Sequence, residues 1–415
     1  MDSARGAWIL CSLFAVGFPV FVGFPTIFEA FGRDQGIHAT IGAALREGLL
    51  PYRDVYNVKP PMTTPTHLLA LELFGHSMRS IRILDLIFVA LTSFGIVHIL
   101  RKLGRPPVMA VGSVFAFCAI YYSLDLWSRA QTDGWAAFLM VPMLYLMLIA
   151  WERQSDRVRA VVFMLAGVLM GIAFWYKYTV IAAGALIFVP LLERSGARFY
   201  WRDLVWFIGG GLIMLFGMLA LMAALGMLMP FIDIQSYIRG YVALFDRSFV
   251  GPIQLTGLDL WHLTIAVCVV AGWVVLLSQL MRRREDPLPI LVAIWAIAGW
   301  LSPYAQNKGF HYHYLPMLIP HAILVGLVFE AAWRRAEARG DRRSGNLSIL
   351  CLLALLYGAT PVLPRVAAVT SQLLPGGAMP AQPKLIVSYP QTKSLSSGPL
   401  RAAICALKSW NALTS

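Results

Sequence analysis

Between Gly32 and Pro61, GRDQGIHATIGAALREGLLPYRDVYNVKPP sets Arg33, Asp34, Arg46, Glu47, Arg53, Asp54 and Lys59 within thirty positions of a chain of which only 13% is charged. An aspartate and a lysine brought together at a membrane surface suit proton abstraction next to an anion. Partial desolvation there raises the pKa of the Asp34 carboxyl, Arg33 opposes that rise, and the group could act as a general base. The plainer reading is that Arg33 and Asp34 mark the interfacial end of a helix. Lys59 stands between Val58 and two prolines, which hold the backbone extended and restrict where the ammonium points. It suits a phosphate, or it snorkels to the interface. Arg53 could join the phosphate contacts or pair with Asp54 and leave no free charge. Tyr56, in the same connector, is a candidate pocket wall.

Three further segments on the same side carry candidate chemistry. Asp133 closes DLWSRAQTD, with Arg129 one turn earlier, and a carboxylate at a helix start is favourable on electrostatic grounds alone. Lys177 interrupts apolar sequence in FWYKYT, where an unpartnered cation costs roughly 2.5–3.5 kcal/mol on insertion scales. It is either functional or the tip of a hairpin. QNKGFHYHYLPMLIPH offers Lys308, His311, Tyr312, His313 and Tyr314. Histidines two apart share no helix face, so phosphate or sugar contacts fit this segment better than zinc.

These residues must be held by membrane-embedded elements. The 415 residues are 59% hydrophobic with a mean hydropathy of +0.68, which marks a polytopic membrane protein. The net charge of +13 then reads as topology before nucleic-acid binding. The five cysteines form neither a disulfide framework nor a zinc spacing. Apolar stretches long enough to cross the hydrocarbon core fall at 7–27, 83–100, 108–124, 134–151, 160–176, 178–192, 204–227, 262–281, 287–303, 312–331 and 347–363. The first is expected to remain as an uncleaved span. Those at 160–176 and 178–192 are short and joined only at YKY, so one is a candidate re-entrant segment. With the N-terminus in the cytoplasm, RKLGRPP, ERQSDRVR, ERSGARFYWRD, MRRREDP and WRRAEARGDRRSGN lie inside. With Arg5 they hold 18 of the 34 basic residues, as the positive-inside rule requires.

The first external loop, 27–82, is expected to carry two surface helices. One is amphipathic through Ile41, Ala44, Leu45 and Leu49 and stops before Pro51; the other has Thr64 as N-cap, Pro65 at its first position and Gly75 just past its end. The expected division is a transmembrane unit over 1–363 and a short extracytoplasmic tail over 364–415, rich in Pro, Gly and Ser. On the cytoplasmic connections no Asp-x-Asp pair or Gly-rich phosphate loop supports a nucleotide site.

RDQG, REGLLPYRDVYNVKPP, AQTDGWAAFLM, GIAFWYKYTV and HYHYLPMLIP, in this order, resemble the bacterial C-type (GT-C) glycosyltransferases. These are related to protein O-mannosyltransferases, the lipid A aminoarabinose transferase and the lipopolysaccharide galacturonosyl transferases, and the resemblance covers roughly Ala7 to Glu330. It implies an all-α integral membrane fold of about eleven transmembrane helices. It further implies transfer of a sugar from a polyprenyl phosphate to a lipid, glycan or protein acceptor on the periplasmic side of the bacterial inner membrane. Asp34 occupies the position of the family's catalytic aspartate, Asp133 that of a frequent second acid, and Lys59 that of the lysine holding the donor phosphate. Arg53, Arg129 and Lys177 are expected to assist Lys59. Tyr56, Lys308, His311, His313 and Tyr314 are expected to line the pocket. Many relatives carry Asp-Glu where this chain has Asp34-Gln35, which removes the second acid of that pair. With a phosphate leaving group already in place, a base and cations suffice, so the mechanism needs no cofactor and no divalent metal, and single displacement inverts the anomeric centre. The competing class is a transporter or flippase of a lipid-linked sugar. Transporters often show two repeated halves with broken helices, and no such repeat is evident.

Overall fold

The computed structural model describes residues 2–153, 155–192, 200–243, 263–282, 286–306, 310–358, 360 and 362–373. The helices, in order, are α1 (Asp2–Gly23), α2 (Arg33–Arg46), α3 (Thr63–Phe74), α4 (Met78–Lys102), α5 (Pro107–Ser123), α6 (Thr132–Trp151), α7 (Asp156–Tyr176), α8 (Val189–Leu192), α9 (Trp201–Ala224), α10 (Leu228–Ala243), α11 (Leu263–Arg282), α12 (Pro287–Gln306), α13 (Leu318–Ala338), α14 (Arg342–Gly358) and α15 (Val362–Leu373). Short 3₁₀ turns at Phe24–Phe28, Tyr178–Phe188 and His311–Met317 join them.

Eight of these segments are long and apolar enough to cross a bilayer. The other three expected spans differ. The 108–124 stretch becomes α5, 17 residues long and almost wholly buried. Its small residues let it press against α13: a side chain at Gly112 would run into Phe329, and one at Gly326 into Ser113. The 178–192 stretch is 3₁₀ over Tyr178–Phe188 and α-helical only over Val189–Leu192. The 347–363 stretch becomes the 17-residue α14. α13 sits at the centre of the bundle, whereas α9 leaves most of its surface outward and meets α7 through closely packed glycines such as Gly167 and Gly210.

The 27–82 loop forms the two expected helices with shifted ends. α2 begins at Arg33 and buries Ile41 and Ala44 against α3, with Gly42 lying directly on the His67–Leu68 backbone. α3 begins at Thr63, with Met62 in the N-cap position and no side-chain cap, so Thr64 is not the cap. Its hydroxyl instead accepts from the Asn57 amide at 3.3 Å, because the connector's turn requires that partner. Gly75 does end the helix, at φ +87°, a conformation that favours glycine. A boundary at 363/364 falls inside α15, which packs on α1, α5 and the Phe24–Phe28 turn; Arg365 donates to the carbonyls of Tyr122 (2.8 Å) and Leu124 (3.3 Å). The remainder of the tail lies outside the described residues.

Candidate active site

Asp34 sits in the first turn of α2, where the helix dipole favours a carboxylate. Lys59 reaches it from the connector, whose backbone is fastened at several points. The left-handed Tyr52 (φ +68°) donates its hydroxyl to the Lys59 carbonyl at 2.6 Å, and the Lys59 N–H donates to the Asn57 side-chain oxygen at 3.0 Å. Pro60 and Pro61 then fix the exit. The result is an ion pair of 3.3 Å between Lys59 Nζ and Asp34 Oδ2, with the ammonium 5.4 Å from the centre of the Tyr312 ring. Arg33 adds a longer contact of 3.8 Å.

A second pair lies deeper. Asp133, in the first turn of α6, has no solvent exposure, and its Oδ2 lies 3.1 Å from Lys177 Nζ. Lys177 is placed by the break between α7 and the 3₁₀ segment, where its own backbone is extended at φ −157°. Gln306, at the end of α12, donates to Asp133 Oδ1 at 3.1 Å, and Thr132 donates to Oδ2 at 3.4 Å. Gln306 also meets Ser302 (3.3 Å), whose hydroxyl bonds Thr179 at 2.7 Å, so α6, α12 and the 3₁₀ segment are tied around one carboxylate. A glutamine at the end of an apolar span was the sequence signal for this ring, since polar groups at membrane depth are costly unless paired.

The outer pair is tuned by its surroundings. Burial pushes the Asp34 carboxyl up, but Lys59, His38 and Arg33 together outweigh it and hold it below the ordinary carboxylate value. Burial would lower Lys59, yet Asp34, Tyr312 and Asp133 raise its ammonium above the usual lysine value. One turn beyond Asp34, His38 stacks edge-on to His67 with ring centroids 5.4 Å apart. His67 Nδ1 is 2.9 Å from the Thr63 carbonyl, which can only accept, so Nδ1 carries the proton. Burial drops His67 to about 4 and, with help from His67 and Lys59, puts His38 well below its usual value. Both are neutral at neutral pH, so the cations facing the two carboxylates are Lys59, Lys177 and, at 3.8 Å from Asp34, Arg33.

The other expected site residues are distributed more widely. His313 and Tyr314 are both buried, and His313 lies close enough to act on the Asp133 charge. His311 is half exposed and 3.8 Å from Asp125. Lys308 lies outside the described residues. Tyr56 packs on an apolar cluster of Tyr52, Trp175, Met222 and Phe231. Arg53 takes the alternative course: its guanidinium grips Asp54 through two bonds of 3.0 and 2.8 Å and touches the Leu225 carbonyl at 3.2 Å. Arg129 is buried and held by Glu29 and the Tyr122 carbonyl, so its charge is met away from the two aspartates. Among the described residues, no group of three or more His, Cys, Asp or Glu could hold a metal ion.

Below the centre, α4, α6 and α7 enclose an apolar groove of about 590 Å³, walled by Phe88, Leu91, Phe138, Tyr145 and, at the site end, Trp135 and Tyr176. Leu91 and Phe94 are exposed along it, so it opens sideways toward lipid. Trp135 lies two residues after Asp133, and Tyr176 directly precedes Lys177.

Three likenesses bear on this arrangement. Residues 58–223, a stretch that includes Lys59, Asp133 and Lys177, match the family described as dolichyl-phosphate-mannose-protein mannosyltransferase. The undecaprenyl phosphate-alpha-4-amino-4-deoxy-L-arabinose arabinosyl transferase of Pseudomonas paraeruginosa is 23% identical over 303 residues, 68% of this chain and 52% of that protein. The crystal structure of the Archaeoglobus fulgidus oligosaccharyltransferase, a complex with Zn and sulfate, superposes with a TM-score of 0.51 at 14% identity, over 88% of this chain and 53% of that one. The chain thus spans about half the length of either relative. The superposition shows an all-α membrane fold of the kind found in that oligosaccharyltransferase.

Proposed function

We propose, on the premise of a GT-C glycosyltransferase, that the chain moves a sugar from a polyprenyl-phosphate donor to an acceptor hydroxyl at the periplasmic face of a bacterial inner membrane. The observation that carries this reading is the convergence of Asp34–Lys59 and Asp133–Lys177, two acid–lysine pairs drawn from α2, the connector, α6 and the α7 break.

The resting centre balances two carboxylates against two ammonium groups. A donor phosphate entering between the lysines draws Lys59 away from Asp34. Loss of that cation raises the Asp34 pKa, and the carboxylate becomes a stronger base where it is needed. The acceptor oxygen then attacks the anomeric carbon as the bond from that carbon to the phosphate oxygen breaks. The hydroxyl proton passes to Asp34, and the departing phosphate carries its electron pair into the field of Lys59 and Lys177. A single displacement of this kind inverts the anomeric centre. Asp133 is enclosed by Lys177, Gln306 and Thr132, so it holds Lys177 in place and leaves the base to Asp34. Arg53 and Arg129, engaged by Asp54 and Glu29, are assigned to fastening loops. The groove under Trp135 and Tyr176 has the chemistry for the apolar chain of the donor. Residues 1–363 carry this machinery, and the acceptor is a lipid, glycan or protein.

The deciding experiment is mass spectrometry of extracted glycolipids and surface polysaccharide from a deletion strain complemented with wild type or Asp34→Asn at matched expression. One sugar mass should be restored by wild type alone; full restoration by the variant removes Asp34 as the base.

A further inference from the structure

The residue after Asp34 has no part in the scheme above, yet it is one of the most enclosed polar groups in the molecule. Gln35 is 1% exposed, and its Nε2 faces three backbone carbonyls of one loop: Leu126 at 3.0 Å, Trp127 at 3.2 Å and Arg129 at 2.6 Å. Two amide hydrogens are therefore shared among three converging acceptors. The amide oxygen, equally buried, meets no hydrogen-bond donor. The position is built around donation.

That loop leads directly into α6, and the Arg129 carbonyl is four residues before Asp133. Its course is held on both sides. Arg82 donates to the Leu126 carbonyl (3.0 Å) and the Ala30 carbonyl (2.8 Å), and Ala130, left-handed at φ +54°, donates its N–H to the Tyr121 hydroxyl at 3.0 Å. On the α2 side, Gly32 lies against Trp127 so closely that a Cβ would sit 3.1 Å from the Trp127 Cα. This seam relates the start of α2, which carries Asp34, to the start of α6, which carries Asp133.

We infer that Gln35 is a positioning residue whose side-chain N–H groups latch the 126–129 loop to α2 and so set Asp34 against the Asp133–Lys177 pair. The inference rests on the transferase reading for its kinetic test. The amide is specific to the task. An ionised glutamate of the same shape would place oxygen against three carbonyl oxygens with no hydrogen to offer, in a site closed to solvent. A protonated glutamate regains one donor.

The test compares kcat and donor KM of wild type, Gln35→Glu and Gln35→Met between pH 5 and 8, alongside hydrogen–deuterium exchange of the 126–131 amides in the same purified full chains. Displacement of a base by about 1 Å costs on the order of 100-fold, so Gln35→Glu should lose about that factor in kcat at pH 8. Relative to wild type it should recover as the pH falls and the carboxyl protonates. Gln35→Met should lose the same factor at every pH, and donor KM should stay within about threefold in both because Lys59 is untouched. Faster exchange over 126–131 is expected in Gln35→Met. Wild-type kcat in Gln35→Glu at pH 8, or unchanged exchange in Gln35→Met, overturns the latch. If exchange rises but wild type transfers no sugar, the transferase reading fails and the latch stands.

Discussion

The two acid–lysine pairs have nearly the same length, 3.3 and 3.1 Å, but they are held differently. Asp34 and Lys59 come from the 27–82 loop, keep 20% and 15% of their side-chain surface open, and meet through a single contact. Asp133 is fully enclosed, and three side chains from three elements bind its two oxygens. A pair that can open exchanges its partner for substrate and proton; a pair that cannot open serves as a fixed reference. On the mechanism proposed above, identical charge chemistry serves as a reacting group in one region and as a scaffold in the other.

Asp34→Asn should show the contrast most strongly, since removing a general base costs about 10²–10⁴-fold in turnover. The thermal midpoint in detergent should barely move. Asp133→Asn should do the reverse. Taking the carboxylate from a buried ion pair costs about 3–5 kcal/mol, so melting and expression should fall before any kinetic constant can be compared. If the two variants melt alike, the distinction between the pairs is lost.

Lys59→Met sharpens the comparison through pH. On the proposed mechanism Asp34 acts as a carboxylate, so activity is lost as pH falls through its pKa, which Lys59 helps hold below the ordinary value. Without that ammonium the acid limb of kcat/KM should move to higher pH, and donor KM should rise by about tenfold, consistent with a lost charged contact of about 1.5 kcal/mol. An unmoved acid limb would detach Asp34 from Lys59. The smallest effect belongs to Tyr52→Phe, which removes only the 2.6 Å bond to the Lys59 carbonyl. A donor KM raised by a few fold matches the usual worth of about 1 kcal/mol for such a bond.

Much of this molecule was legible in its residues. Eight expected spans form helices of crossing length, because hydrocarbon thickness imposes a minimum apolar run that composition alone reveals. The two helices of the 27–82 loop were readable from Ile41, Ala44 and Gly75, and Lys59 was marked by its prolines. Asp34, Lys59, Asp133 and Lys177 each stood out as charge beside oil. Their pairing did not, since YKY marked the joint after α7 but no local pattern said which carboxylate Lys177 would meet there. Arg129 looked as available as Lys59 until the fold supplied Glu29 as its partner, and for Arg53 the fold chose the Asp54 pairing that the sequence had left open. Gln306 and Gln35 carry no charge, and what they bind lies 173 and more than 90 positions away. Sequence alone determined which groups exist and that they must find polar company in an apolar medium. Only the tertiary structure decided which company each one keeps, because partner choice depends on where distant helices begin and end.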